Sequence, residues 1–441
     1  MGSKKRLWRV LAMLVAFTFI AAACGDDSDD SSSDTTGGEG TGDTGVLAGI
    51  KGTLPSAELT DEFKERLLEV DPDLEDFSYG PETYDAVTII AIAAEVAGTD
   101  DPLAIATEIN GVTKDGDACD SFEACKAVID DGGDPDYDGP GGPYNFSDAG
   151  EPAAASFAIL QYGDNNTIDD DLTEFRSAEL SEDAIDASNE TATSPPASGG
   201  TSDGVLTIGT LLPETGDLAF LGPPEFAGAE LAIEDINAAG GALGADAVLI
   251  NGDSGDTNTD IANQTTDRLL NEGVDAIVGA ASSGVSFTVI DKITGANVIH
   301  FSPANTSPDF TAYSDNGLYF RTAPSDVLQG QVLSDLILDE GNETVGLLAR
   351  EDPYGEGLLN FTVEPLEAAG AEVSQEVIYD PAAENFDPEV GDIVSSDPDA
   401  IVVIGFEESA QILTALFEQG MGDKNIYLVD GNIGNALGEN F

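Results

Sequence analysis

The chain has 441 residues and carries 15 Lys and Arg against 85 Asp and Glu, a formal net charge of −70. Acidity spread along the whole length excludes binding to nucleic acid or anionic lipid surfaces, both of which are held through basic patches, and suits a surface kept soluble in high salt. It also makes any lone carboxylate a weak signal, and one histidine with three cysteines leaves little material for metal or thiol chemistry.

The chain opens on Lys4, Lys5, Arg6 and Arg9, continues through an apolar run from Val10 to Ile20, and reaches Ala21-Ala22-Ala23-Cys24. A basic flank, a short apolar stretch and small residues at its end make residues 1–23 a signal peptide. The stretch is too short for a bilayer span, which takes about 20 residues. The cysteine at the cleavage point resembles a bacterial lipoprotein signal, with Cys24 as the lipidated residue and an extracytoplasmic protein anchored to the cell membrane as the consequence. Residues 24–44 are Gly, Ser, Thr and Asp with almost no apolar content and read as a disordered tether. Residues 45–180 hold AGIKGTLPS, the helix DEFKERLLEV, a long helix through YDAVTIIAIAAEVAG, a loop DACDSFEAC and a strand ASFAILQY. This is α/β material with too few strands for a sheet of its own. With Cys24 assigned to lipid, Cys119 and Cys125 form an even remainder and pair as a disulfide, which pins a local turn rather than the whole fold. Residues 181–203, again rich in Ser, Thr, Gly and Asp, form a linker.

From Gly204 onward strand and helix signals alternate: VLTIGTLL, FAGAELAIEDINAAGG, DAVLING, TDIANQTTDRLLNEG, DAIVGAA, SGVSFTVIDKITGA, NVIHFSPA. The same rhythm continues through LYFRTA, SDVLQGQVLSDLILDEG, TVGLLA, YGEGLLNFTVEPLEAAG, AEVSQEVIY, AIVVIGF, ESAQILTALFEQG and IYLVDG. Strand–helix–strand at this spacing means right-handed βαβ units and parallel sheets with helices on both faces. There are too many units for one sheet, and a break at Thr322–Ser325 marks a crossing between a first lobe core, 204–324, and a second, 325–441. Ligands in such sheets sit beyond the carboxyl ends of strands. There, AASSGVS opens a helix with small hydroxyl residues whose free N–H groups suit a carboxylate.

Taken together, IGTLLPETGDLAFLGPPEFAGAELAIEDINAAGG, DAIVGAASSGVS, FSPANTSPDF, YFRTAPSD, DPYGEG and YLVDGNIGN resemble the leucine/isoleucine/valine-binding family of periplasmic solute-binding proteins. The resemblance implies the type I periplasmic-binding fold, an α/β architecture of two Rossmann-like lobes joined by a hinge. It also implies capture of an amino-acid-like small molecule for an ABC permease, with no catalysis and no cofactor. The order is inverted, however. A stretch like AGIKGTLPSAE…YGPETYDAVTIIAIAAE…ASFAILQY closes the family's chains, yet here it precedes VLTIGTLL, and the chain stops at Phe441 about where that stretch belongs. The reading is a circular permutation in which 45–180, the family's C-terminal segment, contributes to both lobes and the ends near Gly45 and Phe441 lie close together.

Carried over by the same resemblance, Ser283 binds a ligand carboxylate, the Ala304 carbonyl accepts from the ligand's ammonium, and Thr306 offers its hydroxyl and N–H to the carboxylate. Tyr354 closes over the ligand, Asp430 pairs with the α-ammonium, Phe406 is a weaker aromatic candidate, and Phe220 and Leu221 line the side-chain pocket. An enzyme is the main rival class. His300 sits in an apolar strand without a neighbouring nucleophile, no base stands near Ser283, and no metal-ligand cluster is visible. The loop NGDSGDTNTD (251–260) misses the EF-hand spacing. A sugar-binding protein of the same fold commonly stacks tryptophan on its ligand, but the only tryptophan, Trp8, is in the leader. A sensory ligand-binding module needs a transmembrane helix or partner that the sequence does not display.

Overall fold

Strands with no polar face form the centres of two sheets. In the computed structural model, which describes residues 45–441, the strands are β1 Lys51–Pro55, β2 Asp117–Cys119, β3 Pro135–Tyr137, β4 Ala154–Gln161 and β5 Glu174–Glu179. They continue as β6 Thr207–Leu211, β7 Val248–Ile250, β8 Ala276–Gly279, β9 Ile299–Ser302, β10 Tyr319–Arg321, β11 Thr344–Arg350, β12 Glu372–Tyr379, β13 Ala400–Ile404 and β14 Asn425–Leu428. The expected leader, Cys24 and tether lie outside the described residues.

One sheet runs β10-β9-β8-β6-β7 with every pair parallel. The other runs β12-β11-β13-β14-β1-β4-β5, parallel as far as β1 and antiparallel beyond it. β8 and β13 are buried at every position, as strands covered by helices on both faces must be. The outermost strand β5 instead alternates exposed and half-buried residues and carries Glu174, Arg176 and Glu179, charges that discourage further pairing at an open edge.

The early segment has no large sheet of its own. Its β1, β4 and β5 extend the seven-stranded sheet, while β2 and β3 make a two-stranded pair. Its long helix Gly80–Ala97, buried from Gly80 to Ala94, packs in the other lobe against the helix Gly222–Ala238. The two cross so closely that a Cβ on Gly228 would lie 2.1 Å from the Gly80 carbonyl oxygen; only glycine permits that approach. Cys119 and Cys125 form a disulfide, as expected.

The expected linker 181–203 is structured at its start, forming a helix over Glu182–Thr191. The Ser181 hydroxyl accepts from the Ala184 amide, and Glu182 and Asp183 occupy the first turn, a capping pattern that favours a helix despite the composition. Further on, Asp100 Oδ2 accepts from the amides of Asp203, Gly204 and Val205 at 2.9, 2.8 and 3.2 Å. Residues 45–47 and Phe441 meet at one turn: the Gly45 amide donates to the Asp164 carbonyl, Leu47 donates to Asn166 Oδ1, and Asn166 Nδ2 donates to the Phe441 carbonyl. Among the described residues no helix is long and apolar enough to cross a membrane.

Candidate functional site

Two loops follow β8 and β9 at their carboxyl ends and are tied to each other. The Ser302 hydroxyl accepts from the amides of Ala304 and Asn305 and donates to the Ala280 carbonyl, while Asn305 Nδ2 reaches the carbonyls of Ala280 and Ala281. The helix Ser283–Gly295 is capped by Ser282, whose hydroxyl accepts from the Val285 amide. Ser283 is thereby spared the capping role, and its Oγ accepts instead from the Ser307 amide at 3.3 Å. No protein acceptor among the described residues takes the amides of Ser283, Gly284 or Thr306, and the Thr306 hydroxyl has no partner either. Unspent N–H groups at a helix start form an anion-binding arrangement.

Across from these loops stands Asp430, two residues beyond β14 and buried. Its Oδ1 accepts from the Tyr354 hydroxyl at 2.7 Å and from Gln329 Nε2 at 2.9 Å; its Oδ2 accepts from the Tyr79 hydroxyl at 2.7 Å. Burial pushes the Asp430 carboxyl up from the ordinary range, and these three donors oppose that rise. Burial, reinforced by the Asp430 charge, raises both phenols well above their ordinary value, so they remain donors. Tyr354 enters the site from the first turn of the helix Pro353–Ala369, whose cap Asp352 also binds Arg350 Nε at 2.6 Å. Phe406, just past β13, stacks on Tyr354 with centroids 5.3 Å apart, and the Arg350 guanidinium lies 3.5 Å from the Phe406 centroid. Glu408 holds the same guanidinium from the other side through Nη1 at 2.9 Å.

The expected site residues converge. Ala304 and Leu221 belong to the same buried cluster as Tyr354 and Phe406, with Phe220 packed against it. Ser283 and Thr306 lie in the loops just described, and the Thr306 carbonyl accepts from the Asp326 amide at 2.8 Å. The Ser307 hydroxyl donates to the Pro353 carbonyl at 2.9 Å, joining the two sides. Phe220 and Phe406 line a cavity of about 350 Å³ with Gly431 and Asn432. Phe406 also borders a second, of about 380 Å³, with Leu218, Asp256, Ser282 and Arg350. Leu221 lines neither and is buried in the cluster that holds Phe406.

Sequence reasoning missed Tyr79, Gln329 and Arg350. Tyr79 had one readable signal: it directly precedes Gly80-Pro81, a helix start, and takes the N-cap position with φ 59°. Gln329 and Arg350 carried none, because their roles arise from contacts across the fold. His300 is fully buried edge-on to Tyr319, close to the Gly279 backbone, and its ring nitrogens meet no side-chain partner among the described residues. Burial pushes it down to about 4, so it is a neutral core residue near neutral pH. In the loop 251–260, Asp253 accepts from Thr215 and Gly255 and Asp256 from the Asp217 amide; no group of three ligand-type residues gathers there or elsewhere among the described residues.

Residues 205–438 match the family described as periplasmic binding protein. A Leu/Ile/Val-binding protein homologue of Brucella melitensis biotype 1 is 29% identical over 222 residues, covering 49% of this chain and 59% of the relative. A Leu/Ile/Val-binding protein of Rhizobium johnstonii is 28% identical over 211 residues, covering 47% and 56%. The chain thus spans less than two thirds of the length of these relatives. Among solved structures, a leucine-binding protein from Thermotoga maritima is similar at 23% identity, covering 54% of this chain and 66% of its own, with a TM-score of 0.48.

Proposed function

Because this chain belongs to the periplasmic binding protein family, we propose that it captures an amino-acid-like small molecule between its lobes, outside the cytoplasm, and delivers it to an ABC importer's permease. The observation that carries this reading is the pairing of opposite chemistries in one cleft. Asp430 Oδ2 accepts from Tyr79 alone, which leaves it a lone pair for an ammonium. The amides of Ser283, Gly284 and Thr306 supply donors for a carboxylate. Relatives called Leu/Ile/Val-binding support the same solute class. A zwitterion touching both sides stabilises the closed arrangement, and a permease that recognises that arrangement reads the occupied state. Cys24, lipidated, holds the protein at the membrane while the cleft stays free.

The test is a thermal-melt panel of the full chain in high salt against single amino acids and sugars. At least one amino acid raises the melting temperature; a ligand at 100 times its Kd contributes about 2.7 kcal/mol. Asp430→Ala abolishes that rise. A panel in which sugars shift the melt and amino acids do not overturns the reading.

A further inference from the structure

Arg350 ends β11 with its side chain buried, and its neighbours spend only part of the guanidinium. Nε donates to Asp352 Oδ2 at 2.6 Å and Nη1 to Glu408 Oε1 at 2.9 Å; Glu408 Oε1 is itself held by the Tyr379 hydroxyl at 3.0 Å. Contact with the Phe406 ring holds the group in place. A guanidinium carries five N–H groups, and among the described residues Nη2 meets no acceptor. Arg350 lines the second cavity, the one that reaches Ser282 beside Ser283.

Asp256, in the loop after β7, lines the same cavity. Its Oδ1 accepts from the Asp217 amide at 2.9 Å, and its Oδ2 meets no donor among the described residues. Gly216, with φ 105°, makes room for this carboxylate: a Cβ there would collide with both Asp256 oxygens. Arg350 forms ion pairs with Asp352 and Glu408 but not with Asp256, yet its charge is felt there. Burial pushes the Asp256 carboxyl up, with the hydrogen bond from Asp217 and the Arg350 charge opposing. The cavity thus holds an unspent donor and an unspent acceptor, with a gap between them.

Charge decides what fits the gap. Asp217, Glu351 and Asp380 line the same cavity, and Asp352 and Glu408 offset the Arg350 charge. A second carboxylate is repelled there and brings no donor for Asp256. A side-chain ammonium suits the acids but offers no acceptor to Nη2, and an aliphatic end pairs with neither. A carboxamide is neutral and carries a carbonyl acceptor and two N–H donors on one planar group.

We propose that Arg350 and Asp256 form a specificity subsite for the far end of the solute, and that this end is a carboxamide, its carbonyl accepting from Arg350 Nη2 and its N–H groups donating to Asp256 Oδ2. This rests on the amino-acid reading above and narrows it to amide side chains.

Calorimetric titrations of the full chain with L-glutamine, L-asparagine, L-glutamate, L-lysine and L-leucine test this. L-glutamine or L-asparagine binds at least ~10-fold more tightly than the other three, because an analogue without the amide leaves the polar groups of the subsite unpaired. Asp256→Ala and Arg350→Lys each narrow the ratio of amide to leucine affinity by ~10-fold or more. Asp256 is only half-buried, so its variant keeps the test decisive if Arg350→Lys fails to fold by circular dichroism. Any amino acid without a carboxamide binding as tightly as the amides, or a ratio unchanged by these substitutions, overturns the carboxamide subsite and leaves the amino-acid reading standing. Binding of none of the five, to a protein whose melt responds to sugars and to no amino acid, overturns both.

Discussion

Glu82 and Glu225 occupy the first turns of the two helices that cross at Gly80 and Gly228, and both are fully buried. Glu225 finds no donor for either oxygen among the described residues. Burial pushes Glu82 up to about 8, its backbone hydrogen bond opposing and Asp85 adding to the rise; burial and then Glu82 push Glu225 well above the carboxylate range. An unfolded Glu loses its proton near pH 4.3, so between about pH 4 and 8 the folded protein holds a proton at Glu82 that the unfolded chain has lost. Its contribution is therefore complete below pH 4.3 and disappears as the pH rises through 8. The melting temperature is expected to fall between pH 5 and 8.5, and Glu82→Gln, always neutral, to fall by several degrees less over that range. Equal slopes in the two proteins would refute this origin. At this scale a motif could name a residue's place: Ser283 and Thr306 sit in the tied loops after β8 and β9, and Asp430 just past β14. The sequence was illegible for Gln329 and Arg350, and Tyr79 offered only its place before Gly80-Pro81. With 85 acids in the chain an aspartate has no individual signal, and Tyr79 meets Asp430 across 351 residues.

Alternating βαβ elements were readable because buried parallel strands are apolar throughout and their helices end on glycines such as Gly273 and Gly370. β5 was not: EFRSAE has no apolar face and becomes a strand only through antiparallel pairing with β4. The linker helix was hidden by its Ser- and Asp-rich composition, although Ser181 caps it and Ser188 is buried against Ser147. A fully buried tie between the early segment and the first lobe is Glu151 with Arg321, Arg321 belonging to β10. Removing one member of a buried pair strands the other's charge, so Glu151→Ala should cost about 3–5 kcal/mol by chemical denaturation. Arg176→Ala, which breaks the exposed pair with Asp339, should cost less than about 1 kcal/mol. Similar costs for the two would mean that Glu151 is not the fastening.

At the scale of the whole molecule, the sequence reading expects family-like stretches in inverted order, because each stretch is distinctive and the two pieces are complementary. The folded chain gives that inversion a physical counterpart. β1, from before the linker, lies between β14 and β4, parallel to the former, and Asn166 binds both Leu47 and Phe441. Tyr79, from one piece, donates to Asp430, from the other. We propose that this is a circular permutation of the family fold. The most direct measurement is solute affinity in a reordered chain, with Phe441 joined to Gly45 by a short glycine-serine peptide and new ends opened between residues 192 and 203. Reordering is expected to preserve the Kd, because every contact in the cleft is retained. A reordered chain that folds but binds nothing, or one that cannot fold at all, would contradict a single two-lobed body assembled from segments in exchanged order.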